Sequence, residues 1–533
     1  MNKINSVMSR TVKYFPRTIF KENLLFFFLL LIVTTGIYAN TLTGKFVSAD
    51  DLPGIVNNPQ VKNFEDSVGS WELEKIYPAV VYRVFGMNPE AFHFFSLTLH
   101  FINIVLCFIF VFLLFGKTEA IIATLIFATH PINVETISWI SAYGYLIYCF
   151  VTLMILTNYL IYIRTSDKKH LIITFALFCA ALILYRKPWV ALIPLYIFVI
   201  EQFIVEDKPA PFKRLKEYAV FTGLVITYFF VYVRGLLAYR AETLTTLYYN
   251  DPTNATPYFN RILYTVYMTI KLFLFPKDLT IYHEGEVVDS LTKFTIMSAG
   301  LTVTLMLAMF FLYRSKNKSS RNITVLIVLI FVTMLMSFYP EVLVWAAAER
   351  YLYLASIFFG VVIALIYKQV KNKQAANTIL VILLLIYGTR SLMQTNAWKN
   401  SKNLWIATQK VSPYSYRVYN NLGDIYAEEN NYPEAIKNFQ ISLQLSPGFA
   451  DAAHNLGYTY YQMGDITLAK TYLLKSYEMN PRLYQALYKL GVIAYQEGDI
   501  NTARSYFVKA LQVEPTYQPT IDALKVVQSL PSK

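Results

Sequence analysis

Long apolar runs alternate with short charged loops along the first three-quarters of the chain. The first run, Leu24 to Ala39, follows a basic lead of Lys3, Arg10, Lys13, Arg17 and Lys21. Further runs cover about 94–115, 119–133, 145–163, 170–185, 188–205, 217–233, 261–276, 291–313, 322–340, 350–367 and 375–392. Each is near the length a helix needs to cross a hydrocarbon layer when tilted. The stretch 40–93 is too charged for lipid and reads as the first outer loop. The pattern predicts an uncleaved signal anchor followed by a polytopic helical membrane domain over residues 1–397.

The loops orient these helices. Arg164-Lys168-Lys169, Lys208 to Lys216, Arg314-Lys316-Lys318-Arg321 and Lys368-Lys371-Lys373 are expected on the cytoplasmic side. Full crossing by every run breaks that parity. The run 261–276 carries Arg261 and Lys271 and ends at Pro276, so it reads as re-entrant or interfacial. About eleven crossings remain. The N-terminus is then cytoplasmic and the C-terminal region extracytoplasmic.

From Trp398 the pattern changes to one with a long repeat. Gly423, Gly457 and Gly491 recur at 34-residue spacing, as do Ala435, Ala469 and Ala503, and Pro447, Pro481 and Pro515. That is the tetratricopeptide (TPR) period of paired helices. Small residues let the two helices of a hairpin approach, and Phe439, Leu473 and Phe507 fill the space between hairpins. The predicted units are a half-repeat 398–415 around Trp405 and Pro413, repeats 416–449, 450–483 and 484–517, and a capping helix 518–533. The fold class is all-α, a membrane helix domain followed by an α-solenoid. Asn420, His454, Tyr458, Tyr461, Tyr488 and Tyr495 fall on the inner faces of the first helices. They suit a groove for an extended peptide; packing between hairpins explains the tyrosines equally well.

Composition agrees. Hydrophobic residues make up 56% of the chain and the mean hydropathy is +0.40, which excludes an ordinary soluble globule. The net charge of +13 is first an orientation signal. No nucleic-acid module is recognisable, so no nucleic-acid partner is expected. Cys107, Cys149 and Cys179 lie in apolar runs without metal or disulfide spacing.

Three polar clusters fall on the predicted outer face. Asp50-Asp51-Leu52-Pro53 follows the first span, and an ionised carboxylate there can act as a general base. From spacing alone, a solvated loop turning at Pro53-Gly54 is the simpler account. His130-Pro131-Ile132-Asn133-Val134-Glu135 ends the third run, where a helix stop is the plain alternative. Glu349-Arg350-Tyr351-Leu352-Tyr353-Leu354 opens a late span. Arg350 there suits a lipid phosphate, and an interfacial belt is its alternative. Lys187, Arg234 and Arg240, with Arg186, also fall on this face, against the positive-inside trend.

The acidic loop continuing into Ile55-Val56-Asn57-Asn58-Pro59, His130-Pro131 with Glu135, and the string Glu349 to Leu354 together resemble the transmembrane-and-TPR-containing protein O-mannosyltransferases, of the GT-C glycosyltransferase class. The resemblance spans nearly the whole chain. It implies a sugar donor on a polyprenyl phosphate, a protein or peptide acceptor recruited by the repeats, and inverting transfer. Asp50 or Asp51 would be the base, Arg350 with Arg234 or Arg240 would hold the donor phosphate, and His130, Glu135, Glu349 and Lys187 would support the site. No cofactor is required; a divalent cation on Asp50 and Glu135 is compatible with the scheme. A bacterial inner membrane is the favoured location, and the endoplasmic reticulum if the source is eukaryotic. Two departures stand out. Where the family runs Ser-Gly-Arg-Ala-Asp after the tryptophan at 139, this chain has Ser141-Ala142-Tyr143-Gly144-Tyr145, and a Lys-Glu pair appears as Lys187-Pro188. The competing readings are a non-catalytic scaffold, for which one span would suffice, and a lipid-linked glycan ligase or polymerase, whose main loop is expected late in the chain.

Overall fold

The computed structural model describes residues 17–205, 214–247, 258–283, 293–339 and 345–529. Lys3, Arg10, Lys13, Lys208 and the last four residues of the expected cap lie outside them. Among the described residues there are helices and turns but no strand. The helices used below are α1 (Leu24–Leu42), α2 (Leu73–Phe85), α3 (Pro89–Phe115), α4 (Lys117–Thr129), α5 (Tyr143–Thr165), α6 (Lys168–Ala180), α7 (Ile193–Ile200), α8 (Leu215–Tyr228), α9 (Arg234–Leu247), α10 (Tyr258–Leu274), α11 (Lys293–Arg314), α12 (Lys318–Met334), α13 (Tyr353–Gln369) and α14 (Lys373–Thr395).

Among the described residues, ten helices are long and apolar enough to cross a membrane, and eleven if α4 and the bent segment Pro131–Ser138 count as one span. Helix α10, at the run read as re-entrant, is not among them. It buries Arg261, whose Nε donates to the Ser337 carbonyl at 2.6 Å. The 54° break after α4 has a cause in the sequence. Pro131 cannot continue the ladder. His130 Nδ1 accepts the Ile132 N–H (3.2 Å) and Asn133 Nδ2 donates to the Phe127 carbonyl (2.7 Å), so side chains satisfy the backbone groups freed at the break.

Burial separates central from peripheral helices. The span Glu349–Gln369 is 78% buried, whereas Thr295–Arg314 is 11% buried and offers its apolar surface outward. The central helix α13 lies on α4. A Cβ at Gly360 would stand 2.7 Å from the Ala123 carbonyl oxygen, so a glycine is what lets these two backbones touch.

The chain divides into two units, and the principal boundary falls between Leu404 and Trp405, slightly beyond the expected change at 398. In the second unit the repeat hairpins are α15 (Tyr416–Glu428) with α16 (Tyr432–Leu445), α17 (Ala450–Gln462) with α18 (Ile466–Met479), and α19 (Tyr484–Gln496) with α20 (Ile500–Val513), followed by α21 (Gln518–Gln528). The repeated columns are now physical. A Cβ on Gly423 or Gly491 would stand 2.5 Å from the Phe439 or Phe507 ring, and one on Gly457 would stand 3.0 Å from Leu473. Ser442 and Ser476, one period apart, each donate to a carbonyl of the preceding helix, Tyr416 and Ala450, at 2.8 Å. Gly491→Ala should therefore cost about 1–3 kcal/mol, because the buried Phe507 ring has nowhere to move. Denaturant unfolding followed on the full chain checks this against Gly448→Ala, whose site is open. Equal midpoints would contradict the packing account.

Candidate active site

The loop after α1 is sewn down by its backbone. Lys45 N donates to the Lys399 carbonyl (2.9 Å) and Ser48 N to Ser401 Oγ (2.8 Å). The two adjacent aspartates then diverge. Asp51 is buried and fully engaged: Oδ1 accepts the Ser141 N–H (2.9 Å) and hydroxyl (2.6 Å), and Oδ2 accepts the Val47 N–H (3.0 Å). Burial lifts its carboxyl to about 6, against the pull of these three donors. Asp50 remains open to solvent, and its carbonyl accepts the Gly54 N–H (2.8 Å) to close the turn over Pro53. Its carboxylate has no hydrogen bond or ion pair among the described residues. Crowding by the surrounding loop raises it above the ordinary aspartate range, and the Arg350 charge draws it back.

Arg350 sits in a tight turn, Glu349–Leu352, that leads into α13. It is buried, and it grips both oxygens of Glu135: its N–H reaches Oε2 at 2.7 Å and Nη1 reaches Oε1 at 2.5 Å. The guanidinium carbon lies 5.0 Å from the ring centres of Trp139 and Tyr351. Trp139 is two residues before Ser141, which holds Asp51. Contacts and short steps along the chain thus lead from Asp50 and Asp51 through Ser141 and Trp139 to Arg350 and Glu135. Glu349 is buried alongside, its Oε1 accepting the Thr280 N–H at 2.6 Å.

An aromatic cavity adjoins Arg350, lined also by Tyr145, Tyr148, Trp189, Tyr351 and Tyr353. The Trp189 and Tyr145 rings are nearly parallel, with centroids 5.8 Å apart. Lys187 pairs with Glu74 of α2 at 2.5 Å, and Arg186 with Glu72 at 3.3 Å. The string that departs from the family pattern is built into this region. Tyr143 OH donates to the Glu74 carbonyl, and Tyr145 stacks on Trp189. A Cβ on Gly144 would stand 2.6 Å from Glu74 Oε1.

The other expected residues lie elsewhere. His130 is buried against Tyr387, with ring centroids 4.4 Å apart, and Nε2 lies 3.3 Å from the Phe273 carbonyl, so it serves the helix break and the core. Arg234 is exposed at the start of α9, and among the described residues no hydrogen bond or ion pair joins it to Arg350 or Glu135. Arg240 is half-buried further along the same helix, in a segment grouped with the second unit. Glu74, Ser141, Trp139 and Trp189 were not singled out from sequence. Only Ser141 carried a signal, as the first residue of the departing string.

In the repeats, Asn420 accepts from Asn455 Nδ2 (3.1 Å) and donates to Asp424 Oδ2 (3.4 Å). Lys489 Nζ lies 4.1 Å from the centre of the Tyr458 ring. Tyr461 OH bonds Gln496, while Tyr495 is exposed. His454 is half-buried; burial, then Lys489, lowers its imidazole to about 4, so it is neutral at pH 7. Tyr488 packs against Phe507 and Tyr517 and is a packing residue.

Protein-family models match a TPR repeat over 423–464 and tetratricopeptide repeats over 450–483 and 484–517. Three curated proteins are similar over most of the chain. Protein O-mannosyl-transferase F38B6.6 of Caenorhabditis elegans is 23% identical over 457 residues, 79% of this chain and 63% of that protein. Protein O-mannosyl-transferase TMTC3 of Mus musculus is 20% identical over 481 residues, 80% of this chain and 52% of that protein. Its Homo sapiens counterpart is 21% identical over 478 residues, with the same coverage of 80% and 52%. The chain thus spans 52–63% of the length of these relatives. Among solved structures, the MamA protein is 19% identical over 24% of this chain and 69% of that one, with a TM-score of 0.22. The chain is a multi-pass membrane protein with tetratricopeptide repeats that resembles, over 79–80% of its length, the transmembrane-and-TPR-containing protein O-mannosyltransferases.

Proposed function

We propose that this chain is a GT-C-type membrane glycosyltransferase that moves a mannose-like sugar from a polyprenyl phosphate to hydroxyls of proteins recruited by its repeats. The observation that carries the reading is the open Asp50 carboxylate, on a loop pinned by Asp51, within reach of the Arg350 charge. Asp50 takes the proton of the acceptor hydroxyl as its oxygen attacks the anomeric carbon. The bond from that carbon to the phosphate oxygen breaks, and the polyprenyl phosphate leaves with the electron pair. Arg350, fixed by Glu135 and lining the aromatic cavity, stabilises the charge that develops on the phosphate. A single displacement inverts the anomeric centre. The acidic loop faces the extracytoplasmic side in this reading, as the basic loops favour. The Tyr458–Lys489 face and the Asn420–Asn455 pair offer an extended acceptor a cation, a ring and amides. Glycoproteomics of cells with and without the gene tests the reading. Loss of hexose from Ser or Thr of exported proteins is expected, and an unchanged glycoproteome would sink it.

The pH profile follows from Asp50. The base must be ionised, and its carboxyl sits above the ordinary range, so the rate should fall on the acid side earlier than for a free aspartate. Arg350→Gln removes the charge that draws it down, and the acid limb should move to higher pH. No movement would contradict the coupling. Asp51 acts on stability with the opposite sense. Its folded value is raised to about 6, so its contribution is full below the ordinary carboxylate range and is lost as pH rises through about 6.

A further inference from the structure

Among the described residues, Lys489 of the repeat unit has aromatic rings for partners and no hydrogen bond or ion pair. It lies half-buried on α19, one turn after Gln485. Its Nζ stands 4.1 Å from the centre of the Tyr458 ring on α17 and 5.6 Å from that of Tyr488. Burial holds the ammonium below the ordinary lysine range, and Tyr461 draws it back. An aromatic face attracts a cation but carries no net charge, so this ammonium is still short of a counter-ion.

Polar atoms around it are also short of partners. His454 lies one turn before Tyr458, and its imidazole is neutral at pH 7, as described above. Its Nδ1 and the Oε1 of Gln485 are buried without hydrogen-bond partners, which is uncommon for such atoms. Asn455 spends one N–H on Asn420 (3.1 Å) and keeps a second N–H and its side-chain carbonyl. Toward α15 the sign of the charge reverses. Asp424, Glu428 and Asp451 gather there, and burial, then the other two acids, lifts Asp424 to about 8. Burial also raises Asp451, and Arg417 draws it back.

We infer that this face selects acceptor segments that carry an aspartate or glutamate, whose side-chain carboxylate pairs with the Lys489 ammonium while the Asn455 and Gln485 amides take the backbone around it. The inference rests on the reading that the repeats recruit the acceptor. Charge decides the occupant. A single ammonium beside a neutral imidazole balances a monoanion, and the acids toward α15 repel anything more negative. Amides on both α17 and α19 suit a chain that continues past the acidic residue, so the carboxylate is a side chain rather than a chain end.

Affinity selection tests it. The purified full chain in zwitterionic nanodiscs is offered a random peptide library, acetylated and amidated at the ends, and the retained peptides are sequenced by mass spectrometry. Aspartate and glutamate should be enriched roughly tenfold at one position of the aligned binders. Lys489→Gln should abolish that enrichment, and Lys489→Glu should replace it with lysine and arginine at the same position. A structural role for Lys489 would lower retention without exchanging the preferred charge. The glutamine variant keeps the test open if the reversed charge does not fold. The inference is overturned by three results: no acidic enrichment in the wild type, as when the face is covered by a second copy; the same enrichment in Lys489→Gln; or enrichment that needs free C-termini. Retention needs no turnover. Acidic selection without sugar transfer would therefore refute the enzyme and keep the groove, and transfer to acceptors chosen without regard to acid would do the reverse.

Discussion

Asp50→Asn should lower the turnover of sugar transfer by about 10²–10⁴-fold and leave the fold intact. The Asp50 carboxylate has no hydrogen bond to lose, and the turn depends on its backbone carbonyl, which asparagine retains. The donor KM should move little, because a base contributes in the transition state rather than to ground-state binding. Asp51→Asn should behave differently. Three donors converge on the two oxygens of Asp51, and an amide has only one oxygen to offer. At least one buried donor is stranded, at about 1–3 kcal/mol, so lost transfer should come with a lower melting temperature. Turnover, KM and melting temperature measured on both variants separate base from pin. Full turnover in Asp50→Asn would remove it from the chemistry.

Arg350→Met should destabilise the first unit by about 3–5 kcal/mol, because it leaves Glu135 buried with its partner gone. Glu135→Leu should cost a similar amount by stranding the guanidinium over Trp139 and Tyr351. The double variant should be more stable than the sum of the two predicts, since neither charge remains. Denaturant unfolding around this cycle gives the coupling directly. Additive losses would mean that the pair is not the unit the geometry shows. Transfer should be slowed by about 10²–10³-fold in all three, because the charge facing the donor is lost or misplaced.

The repeats were legible because their physics repeats. A glycine facing a Phe or Leu sixteen residues later gives a column that any reader can align. The membrane helices were legible from length and apolarity. The site was legible only in part. Asp50 and Asp51 look alike in sequence, and only the turn that buries one against Ser141 tells them apart. Glu135 and Arg350 were both singled out, but their pairing spans 215 positions and no periodicity reports it. Glu74 was invisible for the same reason, since its partner Lys187 lies in a connection far along the chain. His130 looked like chemistry because imidazole often is; here the proline beside it breaks a helix and the ring repairs the break.

The most direct test is transfer by the purified chain in vesicles, given a polyprenyl-phosphate mannose of known anomeric configuration and an acceptor protein. The account predicts a mannosylated acceptor of the opposite configuration, formed by the wild type and almost absent with Asp50→Asn. A product of retained configuration, or one that forms equally well without the Asp50 carboxylate, would contradict it.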